Sequence, residues 1–502
     1  MSVTSIAPKP AYVPGKLQTG KLWSLGLAIA VLVAIVSLPP QAGLPVAGQR
    51  MLGVFAFAIV VWVSEALDYA VSAIVISALM AVLLAISPAD PAKPQVLLGT
   101  VQGLALAVGG FSNTALILVA AALFLATAMT ITGLDRRIAL RILSLVGARS
   151  GRVVIGNILV TIVLSFLVPS ATARAAAMVP IMLGIIAAFG VDRRSRFAAL
   201  LMITTAQGIG VWNVGVKTAA AQNMVAIGYI QKILGQDISW LAWLVAAAPF
   251  SIVLSIGLYV VMTTMLKPET DTVPGGAAAI RKALADLGPM IGAEKRLLAI
   301  SLILLCFWAT ESILHPFDSA TTTTVAVALL FLPGIGVMEW KQAQARFPWG
   351  TIVLFGVGIS LGTVLLQTKA ATWVANLIVA VFGLDQFGGL AILAVLALFL
   401  IIIHLGFASA TALASAMIPI VIAVLQKVHT PGISVIGMTM LLQFVISFGF
   451  ILPVNSPQGM VAYGTETFAA RDFIRTGLVL TVLAYGLTLL FGATYWRWLG
   501  YV

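Results

Sequence analysis

Charge is scarce in this chain: 9% of its 502 residues are Asp, Glu, Lys or Arg, against roughly 25% in a soluble domain. Such a sequence cannot furnish the polar surface that water demands. Cysteine occurs once, as Cys306 in an apolar stretch, so no internal disulfide can form. The three histidines and that cysteine show no metal-ligand spacing, and they supply no nucleophile–base pair at membrane depth. An enzyme and a resident cofactor are therefore not expected. What the chain has instead is 61% hydrophobic residues and a mean hydropathy of +1.11. Apolar runs long enough to cross about 30 Å of hydrocarbon recur throughout, so the bilayer is the solvent for most of the chain. The net charge of +12 sits in short loops. It reads as the positive-inside bias of a multi-pass protein, with no nucleic-acid partner.

Eleven crossings are expected: 22–38, 48–66, 70–87, 112–133, a broken one at 197–230, 240–266, 296–313, 321–338, 349–368, a second broken one at 433–467, and 473–495. The first follows Lys9, Lys16 and Lys21 and ends at Pro39-Pro40 without a cleavage motif, so it reads as a retained helix after a cytoplasmic tail, residues 1–21. Two more apolar stretches, about 153–187 and 388–426, carry small or polar residues at their centres. Counting 153–187 as a crossing would put Arg193, Arg194 and Arg196 outside. A re-entrant hairpin keeps them inside with Arg136, Arg137, Arg141, Arg149 and Arg152, as the positive-inside rule prefers. The linker 267–295, with Arg281, Lys282 and Lys295, then falls inside and divides a first half, 22–266, from a second, 296–502. A short amphipathic helix at Ala277–Leu287 fits within this linker, which otherwise reads as solvated.

The second hairpin enters from outside, which implies two halves of inverted topology. Ser170-Ala-Thr-Ala-Arg-Ala-Ala-Ala-Met-Val-Pro-Ile181 returns as Ser409-Ala-Thr-Ala-Leu-Ala-Ser-Ala-Met-Ile-Pro-Ile420, with nine of twelve positions identical. A weaker match precedes it, the segment from Thr132 against the segment from Thr368. Non-helical backbone at membrane depth survives only where it is buried in protein or lines a cavity. Interrupted helices in inverted repeats place a transporter's site near the midplane. The tips Ser170-Ala171-Thr172 and Ser409-Ala410-Thr411 are thus the candidate site. Each opens a helix whose free N–H groups and positive dipole end suit a carboxylate, and whose hydroxyls can donate to an anion or offer oxygen to a cation.

Each half also has an interrupted element after its hairpin, Gly208–Asn223 in the first and Leu452–Met460 in the second. Pro453 and Pro457 resist regular helix around Asn455-Ser456. Arg174 and Lys217 lie in these regions as intramembrane charges, and each is a candidate partner of a substrate carboxylate or a structural cation. His404, five residues before the second tip, reads as a proton shuttle or a hydrogen-bonded structural residue. Glu65 and Asp68 end the second helix at the inner face, and Tyr495, Trp496, Trp498 and Tyr501 read as an interfacial belt.

The tips, the Leu452-Pro-Val-Asn-Ser-Pro run and the Phe347-Pro-Trp-Gly start of the ninth crossing resemble the divalent anion/sodium symporter family, from about Leu44 to Trp496. Pro169–Arg174 and His404–Ala412 are most similar to its dicarboxylate and citrate translocator branch. The resemblance implies an all-α polytopic inner-membrane protein, a homodimer with scaffold and elevator-type transport domains. It also implies di- and tricarboxylate substrates such as succinate, malate, 2-oxoglutarate, tartrate or citrate. In that family a Ser-Asn-Thr at each tip binds substrate and sodium. Carried over by position, Ser170, Thr172, Ser409 and Thr411 are site residues, joined by Thr218, Ala219 and Ala220 and by Asn455, Ser456 and Pro457 in the broken segments. Sodium, if used, belongs near Ser170, Ala171, Ala219, Ala410 and Asn455. Both motif asparagines are alanine here, Ala171 and Ala410, so each sodium site loses a side-chain ligand. Asn223 and Asn455 are candidate replacements. The expectation is an exchanger of anions, with a sodium-coupled symporter of carboxylate or sulfate as the alternative and a passive channel as a third reading.

Overall fold

The protein is described by a computed structural model over residues 19–147, 149–188, 190–269, 276–428, 430 and 432–502. Lys9, Lys16, most of the expected tail and the Pro274-Gly275 part of the linker lie outside these residues.

The chain opens with α1 (Thr19–Ser37), α2 (Val46–Ser64) and α3 (Tyr69–Ala85), followed by an exposed ribbon of β1 (Pro88–Asp90) antiparallel to β2 (Lys93–Leu97). A short apolar helix, α4 (Thr100–Val108), leads through a tight turn into α5 (Thr114–Thr132), α6 (Leu134–Val146), α7 (Ser150–Leu167), α8 (Ala171–Ala188), α9 (Arg196–Gly215), α10 (Ala221–Tyr229) and α11 (Trp240–Met265). The linker carries α12 (Gly276–Ala285). The second half begins with α13 (Gly292–Ala309), α14 (Ser319–Phe331) and α15 (Trp340–Arg346). It continues through α16 (Trp349–Gln367), α17 (Ala370–Phe382), α18 (Gly389–His404), α19 (Ala410–Lys427), α20 (Val435–Ile446), α21 (Pro457–Tyr463), α22 (Ala470–Ala493) and α23 (Tyr495–Trp498). Ten helices among the described residues are long and apolar enough to cross a membrane. The molecule is an all-α polytopic membrane protein.

From α5 and from α16 the same series of elements runs twice. A 19-residue helix is followed by one left-handed residue, Gly133 (φ 74°) directly or Lys369 (φ 63°) after Thr368, and then by a 13-residue helix. Glycine tolerates that backbone without a Cβ penalty, whereas Lys369 carries it as one of four non-glycine exceptions among the described residues. Next come a helical pair, a helix ending in a 3-10 turn (Lys217–Ala219 or Pro453–Asn455), a short helix and a long one. The weak match at Thr132 and Thr368 therefore marks two equivalent corners. The packing exchanges partners in kind: α16 lies on α3, and α5 lies on α14.

Both helical pairs turn back on themselves. On α7, Asn157 bonds Leu201 O and Thr205, and Thr161 lies against Gly208, so α7 runs alongside α9 in the same direction. At the start of α8, Arg174 reaches Asn213 near the end of α9, while the end of α8 connects to the start of α9, so α8 runs the opposite way. The second pair follows the same logic. Thr430, after α19, donates to Phe387 O just before α18, and Gly389 lies against Ile433. His404, ending α18, meets Gly449 beyond the end of α20. In each pair the open ends stand together and the bend reaches the far end of the neighbouring helix.

Three expectations change here. Residues 136–141, read as part of a basic loop, belong to α6, an amphipathic helix with Leu134, Ala139, Leu140 and Leu143 buried beneath its arginines. The linker is not merely solvated: α12 packs on α6 and α8 through buried Ile280. Arg137 bridges Glu294 at 2.8 Å and donates to Gly288 O at 2.9 Å. The stretch before residue 112, left without an element, forms α4 and a tight turn against α16. Gly110 sits so close that a Cβ there would lie 2.1 Å from Gly356 O.

Candidate functional site

The two bends meet at one cavity of about 640 Å³. Ser170, Ala171 and Thr172 line it from the first bend, and Ser409, Ala410 and Thr411 from the second. Local sequence explains each bend. Pro169 cannot continue α7 as a regular donor, and Ser170 Oγ accepts from Ala173 N at 3.3 Å at the start of α8. Ser409 does the same for α19, accepting from Ala412 N at 3.2 Å. A side-chain oxygen satisfies one orphan N–H of the first turn, and the rest of that turn keeps its positive end toward the cavity. With the side-chain oxygen already accepting, each hydroxyl hydrogen remains available to an anion.

The broken segments complete the wall, with Ala220 and Ala221 from the first and Asn455, Ser456 and Pro457 from the second. Asn223, buried beneath the first break, donates to Asn213 O at 2.7 Å and to Val216 O and Lys217 O at 3.3 Å. Asn455 donates to His404 O at 2.9 Å and Phe407 O at 2.8 Å, and its Oδ1 accepts from Leu452 N at 3.2 Å. These amides, weighed above as replacements for the missing tip asparagines, are already engaged, their nitrogens by backbone carbonyls and the Asn223 oxygen by Gln443 Nε2 at 3.4 Å.

The expected residues separate into two groups. Arg174, Lys217, Thr218 and Ala219 do not line the cavity. Lys217 is 1% exposed and turns away, donating to Ile238 O at 2.5 Å and lying 3.6 Å from Asp237. Thr218 accepts from Trp240 Nε1 at 3.3 Å. Arg174 is fully buried behind the first tip, where Nη2 donates to Asn213 Oδ1 at 2.5 Å and to Ala219 O at 2.8 Å, while Nε and Nη1 have no hydrogen-bond partner among the described residues. His404, 2% exposed, lines the cavity beside the second tip, with Nε2 3.3 Å from Asn455 O. A carbonyl only accepts, so Nε2 carries the proton in that contact, and Nδ1 has no hydrogen-bond partner among the described residues. Ala219 and Asn455 are the last residues of the two 3-10 turns. A basic side chain thus reaches the same carbonyl in each half, from different places in the sequence.

Reasoning from sequence passed over Asn213, Gln222, Ser447 and Gln458, which all line the cavity. The usable signal was the pairing of the two 3-10 turns, which puts Gln222 and Gln458 at matching positions. Glu65, Asp68 and Arg346, at the ends of α2, α3 and α15, also line it, so the cavity reaches from the tips to helix termini.

A cavity inside an apolar helical body, walled by broken helices and bent pairs that bring hydroxyl and amide groups to it, defines a polytopic membrane protein of transporter type. Residues 19–502 match the sodium:sulfate symporter transmembrane region, and the chain belongs to that family. It is 56% identical over 481 residues to a membrane protein of Cupriavidus necator, covering 96% of this chain and 93% of that one. It is 26% identical over 496 residues to the citrate/succinate antiporter of Escherichia coli K12, covering 95% and 98%. In fold it is similar to the YdaH transporter of Alcanivorax borkumensis, with a TM-score of 0.53 at 14% identity over 86% of this chain and 98% of that one.

Proposed function

We propose that this protein exchanges small di- or tricarboxylate anions across a bacterial-type inner membrane without sodium coupling. One observation carries the proposal: Arg174 and His404 reach the carbonyls of Ala219 and Asn455, two of the residues near which the resemblance would put sodium. The guanidinium holds Ala219 O, and the imidazole lies against Asn455 O. A carbonyl already facing a fixed cationic or N–H donor is a poor ligand for a mobile one.

The mechanism follows from electrostatics. Carboxylate charge meets the first turns of α8 and α19, the hydroxyls of Ser170, Thr172, Ser409 and Thr411, and the field of Arg174. In a medium of low dielectric a buried unpaired cation is costly, so the mobile part crosses readily only when an anion neutralises it. A symporter sheds its cations and returns empty, whereas a fixed cation forces return with another anion. That is exchange. The two bends enter from opposite faces in inverted halves, the cavity faces inward toward Glu65, Asp68 and Arg346, and the bent pairs move as an elevator against the scaffold of a homodimer. Lys217 ties the first broken segment to the loop before α11 and has no part in binding.

The relative whose name is citrate/succinate antiporter supports both the substrate class and exchange. The family's description supports the alternative, sodium-coupled uptake of a divalent anion. A thermal-shift screen of the purified protein against C4–C6 carboxylates, in choline or sodium buffer, separates them. Equal stabilisation in both buffers is expected, since a ligand of the folded state raises its stability by mass action. Stabilisation only in sodium would reverse the assignment.

A further inference from the structure

Gln222 and Gln458 are each the second residue of the short helix after a 3-10 turn, three positions beyond Ala219 and Asn455. Both line the cavity, and both are nearly inaccessible, at 6% and 3% exposed. The hydrogen bonding of each is incomplete. Gln222 Nε2 donates to Ser447 Oγ at 3.4 Å, and its Oε1 accepts nothing among the described residues. The Gln458 side chain makes no hydrogen bond there, and its Oε1 is buried without a partner. A buried amide oxygen without a donor, as at Gln458, is unusual in a folded wall, because an unmet acceptor carries a desolvation penalty.

Carboxylate oxygens cannot relieve this, since an ionised carboxylate only accepts. It can satisfy the amide nitrogens, as it satisfies the hydroxyls of the tips, but it leaves Oε1 as it was. A hydroxyl on the carbon beside the carboxylate supplies the missing donor. The amide can then give N–H to the carboxylate and accept O–H from its neighbour. We infer that Gln222 and Gln458 form a paired hydroxyl-recognition element, which makes 2-hydroxy- and 2,3-dihydroxy-dicarboxylates the preferred substrates over unsubstituted ones. This rests on the carboxylate reading above and adds to it the feature of the substrate that the site reads.

The test is calorimetric titration of the full-length purified protein in sodium-free buffer with succinate, L-malate and L-tartrate. The two hydroxy acids bind the wild type about ten-fold more tightly than succinate, the fold-change that one satisfied buried acceptor gives. Gln458→Met, close in shape and without hydrogen-bonding groups, removes that advantage, so that L-malate and L-tartrate bind the variant no more tightly than succinate binds it. Gln222→Met does the same from the other half and stands in should Gln458→Met fail to fold. Equal wild-type affinity for all three anions overturns the inference, as does a parallel loss of succinate and malate in the variants. A wild type that binds none of the three overturns the carboxylate reading itself, and this inference with it.

Discussion

Replacing Arg174 with alanine isolates the electrostatic claim. Ala173 and Ala176, on the same turns of α8, line the cavity, while the guanidinium points behind them. A bound carboxylate would then lie on the order of 8 Å from the charge. At an effective dielectric of about 20, one unit charge at that range contributes roughly 2 kcal/mol, or about a thirty-fold change in affinity. Arg174→Ala should therefore weaken succinate binding about thirty-fold in sodium-free buffer, while Arg174→Lys, which keeps a charge, should stay within a few-fold. The alanine variant also strips the donor from Ala219 O and Asn213 Oδ1, leaving two oxygens of the kind hard cations take. Sodium should then restore part of the lost affinity, although it does nothing to the wild type. Calorimetric titration in choline and in sodium, on protein that elutes as the wild type does, reads both effects. Wild-type affinity in Arg174→Ala with no response to sodium would refute the reasoning.

Thr172→Ala and Thr411→Ala each remove a hydroxyl from a cavity-lining tip and should each lower transport about ten-fold at unchanged expression, measured as initial uptake per protein. Lys217→Met should leave substrate affinity within about two-fold by titration, since Lys217 faces Ile238 O and Asp237 rather than the cavity. Asp135, buried at the start of α6, is pushed up to about 6 by desolvation. The folded state then holds the proton more tightly than the unfolded one, so stability is greatest below pH 4 and falls as pH rises from about 4 to 6. Asp135→Asn should accordingly raise stability at pH 7.5 by on the order of 2 kcal/mol and have little effect at pH 4, seen as a difference in Tm.

Both bends were legible because one twelve-residue string recurs, each copy opening the second helix of a bent pair. The roles of the charged residues were less legible. Arg174 and Lys217 look alike as intramembrane cations, and only side-chain direction separates one beneath the tip from one tied to Ile238 O. Asn223 and Asn455 looked like free amides, yet broken helices leave carbonyls unpaired, and those carbonyls claimed them first. The amphipathic helix α6 was hidden because 13 residues of mixed character fit neither a crossing nor a plain loop, and α17 because its 13 largely apolar residues are too few for a crossing. Gln222 and Gln458 carry no motif at all; their correspondence emerges only when the two 3-10 turns are aligned.

Counterflow in proteoliposomes tests the central claim most directly. Vesicles loaded with unlabelled succinate or malate, with membrane potential clamped and choline in place of sodium, should accumulate labelled succinate, and empty vesicles should not. Uptake into empty vesicles driven by an inward sodium gradient, with no stimulation from internal anion, would contradict exchange through a site held by fixed basic groups.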